Sequence, residues 1–398
     1  MEKLLDFGLQ PVCSHFLSKK EDSAFLTPLV FSCCRTCGLI QNSCPPVHDQ
    51  LRPKVDFISY REPEEHLDDL ADYLCRLEGL CPDSFIAGLT VYDQPLVDRL
   101  KAGGFRYARR VDRETEYGIK DRISGVETLQ EKITAGCLEG LSFRGRKPDL
   151  ILAGFILEHA HDLSGFIHAL RNLLNPSGYI SIQVPDFECS LETLDYSAIW
   201  EEHKFYFTKD TLSFCPVLGD FKTVFFKAYP HRNGTVLSSI WQESKEQAVP
   251  LWKDKAWRPQ FEKADAYRDN YEKSRASLKS NLVLLQKRKG RIALFGAGHQ
   301  ACIFINLLDI PDFLEFVVDD DKRKQGLYMP GSGLEIKGSE GLISGDIKVC
   351  LMAVSKHLEP VIKMKNKDFI DRGGCFESIY NPDLYSTGTL FLNKGGCR

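Results

Sequence analysis

Arg291-Ile292-Ala293-Leu294-Phe295-Gly296-Ala297-Gly298-His299-Gln300-Ala301 decides the fold of the C-terminal part of this chain. An apolar strand runs straight into Gly-x-Gly-x-x-Ala, and Cys302 to Leu308 continues as an apolar helix. Glycines allow a tight turn and a close backbone approach, and free N–H groups at a helix start favour an anion. Phe316-Val317-Val318-Asp319 is the next strand, with Asp319 placed where a ribose-binding acid would stand. Two readings fit: a turn that takes a nucleotide-type ligand, or a Rossmann-like turn whose glycines serve packing. In the second, Asp319 to Asp321 with Lys322 is a solvated loop.

Working backwards, residues 246 to 289 are polar and rich in Lys, Glu, Ala and Arg, and predict a helical linker from about Arg258 to Lys287. From Ser84 strands and helices alternate. Phe85–Leu89, Asp149–Ala153 and Tyr179–Pro185 are strands; Leu96–Ala102 and Leu163–Leu174 are helices. That alternation implies a mostly parallel sheet covered on both faces. Lys222–Lys227 and Val236–Gln242 read as antiparallel strands, and Glu64–Leu80 as an amphipathic helix. Residues 1 to 55 predict a small β-rich unit around a C-x-x-C turn, with strands Leu29–Cys33 and Gly38–Gln41. The expected architecture is α/β: two Rossmann-like doubly wound domains (56–245 and 290–398), the N-terminal unit and the linker.

The 398 residues allow two or three domains. Hydrophobic residues at 43% and charged residues at 27% match a soluble globular protein. A formal net charge of −4 gives no electrostatic case for nucleic acid or an anionic membrane. Met1 to Gln10 lacks the basic start and long apolar core of a signal peptide, so the expectation is a cytoplasmic protein. Its fourteen cysteines are scattered, and in a reducing compartment they read as thiols or metal ligands. Cys34 and Cys37 have ligand spacing, with a single such pair where a structural zinc site normally uses two.

Two polar clusters follow strands. Glu158-His159-Ala160-His161-Asp162 lies just beyond Asp149–Ala153, where ligands of doubly wound folds sit. His159 reads as a positioning or polarising group there, or as part of a helix start; His161 and Asp162 read as surface or capping residues. Trp200-Glu201-Glu202-His203-Lys204-Phe205-Tyr206-Phe207 packs a histidine, two carboxylates and aromatics together. A histidine beside a carboxylate can take a proton near neutral pH, and aromatics shield it and offer a face to a sugar.

On these residues the chain resembles the sugar C-methyltransferases that act on nucleotide-linked keto-sugars. The likeness runs nearly end to end. It covers Leu4-Leu5-Asp6-Phe7-Gly8-Leu9-Gln10-Pro11 and Cys34-x-x-Cys37-Gly-Leu-Ile-Gln, then Tyr60 and His66, Leu157-Glu158-His159, Asn175-Pro176-Ser177-Gly178 and Val184-Pro185-Asp186. It continues through Glu202-His203-x-x-Tyr206-Phe207, Gly296-Ala297-Gly298 and Asp319 through Lys324-Gln325-Gly326 to Pro330-Gly331. The resemblance implies S-adenosylmethionine as cofactor and deoxysugar biosynthesis as context. It implies His203 as the base that removes a proton α to the ketone, Glu202 as its orienter, and Tyr60 and His159 as supporting donors. Thr90, Asp93 and Asp112 fall where cofactor contacts are expected. Trp200, Tyr206, His231, Asn233, Gly296, Gly298, His299, Asp319 and Lys324 fall where the nucleotide-sugar is expected. Cys34 and Cys37 would be zinc ligands.

The chain departs from that pattern in three places. It carries one cysteine pair of two. Leu89-Thr90-Val91-Tyr92-Asp93-Gln94 has no glycine where such enzymes hug the cofactor. Trp200 stands where a tyrosine is expected. The altered loop leaves a second expectation beside C-methylation: a relative without methyl transfer, acting as a sugar-nucleotide isomerase or epimerase or as a non-catalytic binder.

Overall fold

Four-residue and five-residue runs such as Phe85-Ile86-Ala87-Gly88 and Leu150-Ile151-Leu152-Ala153-Gly154 carry no polar side chain, and both are buried along their whole length. Strands apolar on both faces belong inside a parallel sheet covered by helices. A computed structural model describes residues 1–55, 63–121, 123, 125–134, 143–231, 234–244, 258–344 and 346–385. Its strands are β1 (Glu2–Pro11), β2 (Leu26–Cys33), β3 (Ile40–Asn42), β4 (Phe85–Gly88), β5 (Tyr107–Arg110), β6 (Leu150–Gly154), β7 (Tyr179–Pro185) and β8 (Phe205–Tyr206), then β9 (Phe221–His231), β10 (Gly234–Glu243), β11 (Arg291–Phe295), β12 (Val317–Val318), β13 (Ile336–Lys337), β14 (Ile347–Met352) and β15 (Cys375–Ser378).

The chain forms two compact units of interleaved segments. The first comprises Met1–Lys3, Phe31–Cys189 and Glu202–Phe261; the second comprises Leu4–Val30, Ser190–Glu201 and Glu262–Arg398.

The first unit holds a six-stranded sheet in the order β5-β4-β6-β7-β10-β9. β5, β4, β6 and β7 are parallel neighbours, and β10 is antiparallel to both β7 and β9. Alternate residues of the central strands enter different cores. Phe85, Ala87, Ile151 and Ala153 join a cluster with Phe166, Ile167 and Leu170 of the helix Leu163–Leu173. Ile86, Leu150 and Leu152 join one with Leu96, Val97 and Leu100 of the helix Gln94–Ala102 and with Leu67, Leu70 and Leu74 of the helix His66–Leu74. The sheet is therefore covered on both faces. The chain places β5 on one side of β4 and then crosses to β6 on the other, which leaves a crevice at the carboxyl ends of β4 and β6.

The helix expected over 64–80 stops at Leu74, where the Cys75 N–H bonds to Ala71 O. Leu77 and Leu80 still pack on the core, but from the turns that lead to Cys81-Pro82.

The second unit contains five parallel strands in the order β13-β12-β11-β14-β15. Its own crossover point lies between β11 and β14, where the Gly296 turn sits. The long helix Arg258–Lys289 buries Ala264, Tyr267, Tyr271, Leu278, Leu282 and Leu285, a stripe at three- and four-residue spacing. Tyr271 donates to Leu307 O at 2.6 Å and Asn281 Nδ2 to Leu384 O at 2.8 Å, so this helix is built into the second unit. Residues 246–257 of the expected linker lie outside the described residues. No described helix is long and apolar enough to cross a membrane.

Candidate functional site

The segment that carries His203 is held by backbone pairing. Phe205 and Tyr206 of β8 pair with Gln41 and Ile40 of β3, and the Lys204 N–H donates to Glu158 O at 2.8 Å. That bond brings the loop after β6 against the loop before β8. Glu158, His159 and His203 converge there, with one polar side-chain atom from each lying within 4.8 Å of the others. The two imidazoles meet edge to face, with ring centroids 4.7 Å apart, and Tyr206 stands 6.0 Å from His203. All three members of the cluster are buried. Glu202 is buried too, but the carboxylate grouped with His203 is that of Glu158. Sequence reasoning placed Glu158 in the right cluster without giving it a role, although its position just beyond a buried strand was the available signal. Asp162 caps the helix Leu163–Leu173 through Gly165 N–H, as the sequence suggested, and His161 stacks on His48 at 4.3 Å.

A second polar group lies at the ends of β6 and β7. His66 Nε2 is 2.7 Å from Gln183 Oε1, and its ring meets Tyr229 at 5.3 Å and His231 at 5.9 Å. His231 also faces Phe155, whose ring contacts Tyr92. Burial lowers the His66 pKa, against the Gln183 hydrogen bond. Tyr60 and Asn233 lie outside the described residues.

Of the three expected cofactor residues, Thr90 and Asp93 come together, but with each other. Asp93 is fully buried, and its carboxylate accepts from Thr90 N at 2.8 Å and Gly154 N at 2.9 Å. Thr90 Oγ1 donates to Gly154 O at 3.2 Å. A Cβ on Gly88 would meet Asp93 Cβ at 2.8 Å, and one on Gly154 would meet Asp93 Oδ1 at 2.9 Å. The Asp93 side chain thus fills the crevice between β4 and β6. Burial pushes its carboxyl up to about 6, against the three backbone N–H groups of the loop and β6 that hold it down. Tyr117 is buried with its hydroxyl 3.3 Å from Leu89 O. Asp112 is exposed and accepts from Glu114 N, Thr115 N and Thr115 Oγ1 of its own turn. These residues do not fit S-adenosylmethionine in the glycine-turn mode, because the crevice it would use is occupied by the chain.

In the second unit Gly296 has φ 103°, and a Cβ there would strike Val354 and Ala353 O, so the turn demands glycine. Gly298 faces open space. Asp319 Oδ2 accepts from Ala297 N at 2.9 Å and from Lys324 Nζ at 3.0 Å, and Oδ1 accepts from Asp321 N. Asp319 and Lys324 therefore clamp the glycine turn. His299 opens the helix His299–Leu307, and Trp200 lies flat on its ring at 3.6 Å. Beneath them are Cys13 and Glu201, both missed by sequence reasoning as site residues. Burial works to raise the Glu201 carboxyl, but His299 and the Cys13 N–H outweigh it and hold it low.

Cys34 and Cys37 interact across their turn, and burial leads in pushing the Cys37 thiol up to about 11. Neither belongs to a three-ligand group among the described residues, and the pair by itself does not fit a structural zinc ion.

Residues 245–379 match the family model described as the C-methyltransferase C-terminal domain. The C-methyltransferase NovU of Streptomyces niveus is 22% identical over 94% of this chain and 91% of its own. Among solved structures, the 1,6-didemethyltoxoflavin-N1-methyltransferase of Burkholderia thailandensis, with bound S-adenosylhomocysteine, is 12% identical over 46% of this chain and 78% of its own, with a TM-score of 0.30. The magnesium protoporphyrin IX methyltransferase of Synechocystis, also with bound SAH, is 12% identical over 46% and 83%, with a TM-score of 0.31. The fold assignment rests on the strand orders above. Residues 245–379 are thus similar to a C-methyltransferase C-terminal domain, and the chain is similar nearly end to end to a C-methyltransferase.

Proposed function

We propose that the chain is an S-adenosylmethionine-dependent C-methyltransferase of a nucleotide-linked keto-sugar, with His203 as the base that removes the α-proton. The observation that carries this reading is the convergence of His203, His159 and Glu158 in a buried cluster beyond β6. Removing a proton next to a ketone leaves negative charge on the carbonyl oxygen, so the step needs a base on one side and a donor on the other. His203 serves as base, with Glu158 and Glu202 as carboxylates that favour its protonated form. His159 donates towards the developing enolate oxygen. The similarity to a C-methyltransferase supports the methyl transfer that follows.

The filled crevice at Asp93 favours a second reading, in which the same base exchanges the α-proton without methyl transfer, as an isomerase or epimerase, or in which the chain only binds the sugar-nucleotide. Two measurements on the full chain separate these. Titration calorimetry with S-adenosylmethionine is expected to show heat in the micromolar range; a flat trace removes the methyltransferase reading. Solvent deuterium incorporation into a nucleotide-linked keto-sugar is expected with the wild type. It is expected to fall roughly 10²–10⁴-fold in His203→Ala while binding persists. Normal exchange in that variant removes His203 as base.

A further inference from the structure

A separate group of buried donors lies wholly within the second unit. Cys13, Glu201 and His299 each offer one ligand atom, and these atoms lie within 4.8 Å of one another. Cys13, Glu201 and His299 are 2%, 0% and 5% exposed. They come from three remote segments: the stretch after β1, the run before His203 and the start of the helix His299–Leu307.

Glu201 Oε1 accepts from Cys13 N at 2.6 Å. Its Oε2 faces His299 Nε2 at 3.1 Å without forming a hydrogen bond to it. A buried carboxylate oxygen, a ring nitrogen and a thiol gathered at one point are what ligands of one cation present. Around a tetrahedral zinc ion, donors at bond lengths of 2.0–2.3 Å stand roughly 3.3–3.8 Å apart, compatible with this cluster. The nearby buried Cys302 thiol has partners of its own, donating to Pro330 O at 3.7 Å and accepting from Asn306 Nδ2 at 3.4 Å. The Trp200 indole, stacked on the His299 ring, fixes the plane in which Nε2 points.

We propose that Cys13, Glu201 and His299 form a buried site for a divalent transition-metal ion of the zinc class. The Cys13 thiolate and the Glu201 carboxylate neutralise the ion, and the His299 imidazole is its third protein ligand. The ion is structural: it ties Leu4–Val30 and Ser190–Glu201 to the last α/β layer and holds His299 beside the Gly296–Gly298 turn. The site is distinct from the Cys34–Cys37 turn, which belongs to the first unit.

The test uses the full chain, purified under reductant, stripped with a chelator and titrated with Co²⁺. The expected result is a single equivalent with a thiolate-to-cobalt band in the near ultraviolet and the visible bands of a tetrahedral ion. Cys13→Ser and His299→Ala should weaken Co²⁺ binding by more than the roughly 10–100-fold typical of an outer-shell change, and the double variant Cys34→Ser/Cys37→Ser should leave it intact. The proposal is overturned by the absence of any thiolate band in the folded wild type. A band that survives Cys13→Ser but vanishes in the Cys34/Cys37 variant also overturns it, as does a Cys13–Cys302 disulfide in protein handled without reductant.

Discussion

Asp93 offers a quantitative test of the filled crevice. Its carboxyl is fully buried and titrates at about 6 in the folded chain, against an ordinary value of 3.8. The sign follows from linkage: the folded state holds a proton between those two values that the unfolded state has released, so stability falls as pH rises through the window. The full effect is about 3 kcal/mol, from roughly two pKa units at 1.36 kcal/mol each. Between pH 5 and pH 7.5 the linkage relation leaves on the order of 1 kcal/mol of it. Asp93→Asn removes the titration. The amide keeps one acceptor for Thr90 N or Gly154 N and sets its NH₂ against the other, at a cost of about 1–3 kcal/mol that offsets the relief of burying no charge. The variant should therefore sit near the wild type at pH 7.5 and fall behind it at pH 5. For a unit of about 200 residues, a difference of that order corresponds to roughly 2–4 °C in melting temperature. Paired thermal melts at the two pH values read this directly, and the difference cancels every other titrating group. If the gap between wild type and variant is the same at both pH values, Asp93 is not the buried acid described here.

Gly296→Ala combines a positive φ with a Cβ 2.7 Å from Val354 and 2.8 Å from Ala353 O; it should destabilise the second unit by about 1–3 kcal/mol or more, and an unshifted melt would refute the close approach. Leu282→Ala, on the buried stripe of the long helix, should cost about 2–5 kcal/mol in the same assay if that helix is part of the second unit's core, and almost nothing if it is a spacer. The His66 ring, held neutral by burial, should titrate below 6.5 by NMR. Because its folded pKa is lowered, its contribution is present above about 6.5 and lost as the solution is acidified, opposite in sign to that of Asp93.

The α/β layout was legible because parallel strands buried on both faces leave unbroken apolar runs, as at Phe85–Gly88 and Leu150–Gly154. The His203 cluster was half legible: both its stretches follow strands, but which carboxylate meets the ring depends on the Lys204–Glu158 backbone bond, which no local pattern encodes. The loop after Leu89 was readable as atypical from its missing glycines. That Asp93 turns inward to seal it was not, since a carboxylate in a loop ordinarily reads as solvated. The Cys13–Glu201 contact joins residues 188 positions apart, beyond the reach of any spacing rule.

Glu201 and Glu202 are consecutive residues that belong to different compact units, and the same is true of Lys3 and Leu4 and of Val30 and Phe31. Neither unit can be cut out of the gene as one uninterrupted fragment. A polypeptide released at residue 261 would leave Leu4–Val30 and Ser190–Glu201 without the partners they are to fold with. During synthesis, those two stretches must wait exposed until the last third of the chain has left the ribosome. Expression of truncated forms should accordingly yield insoluble material, and coexpressing the two halves split near residue 261 is the arrangement that could restore both.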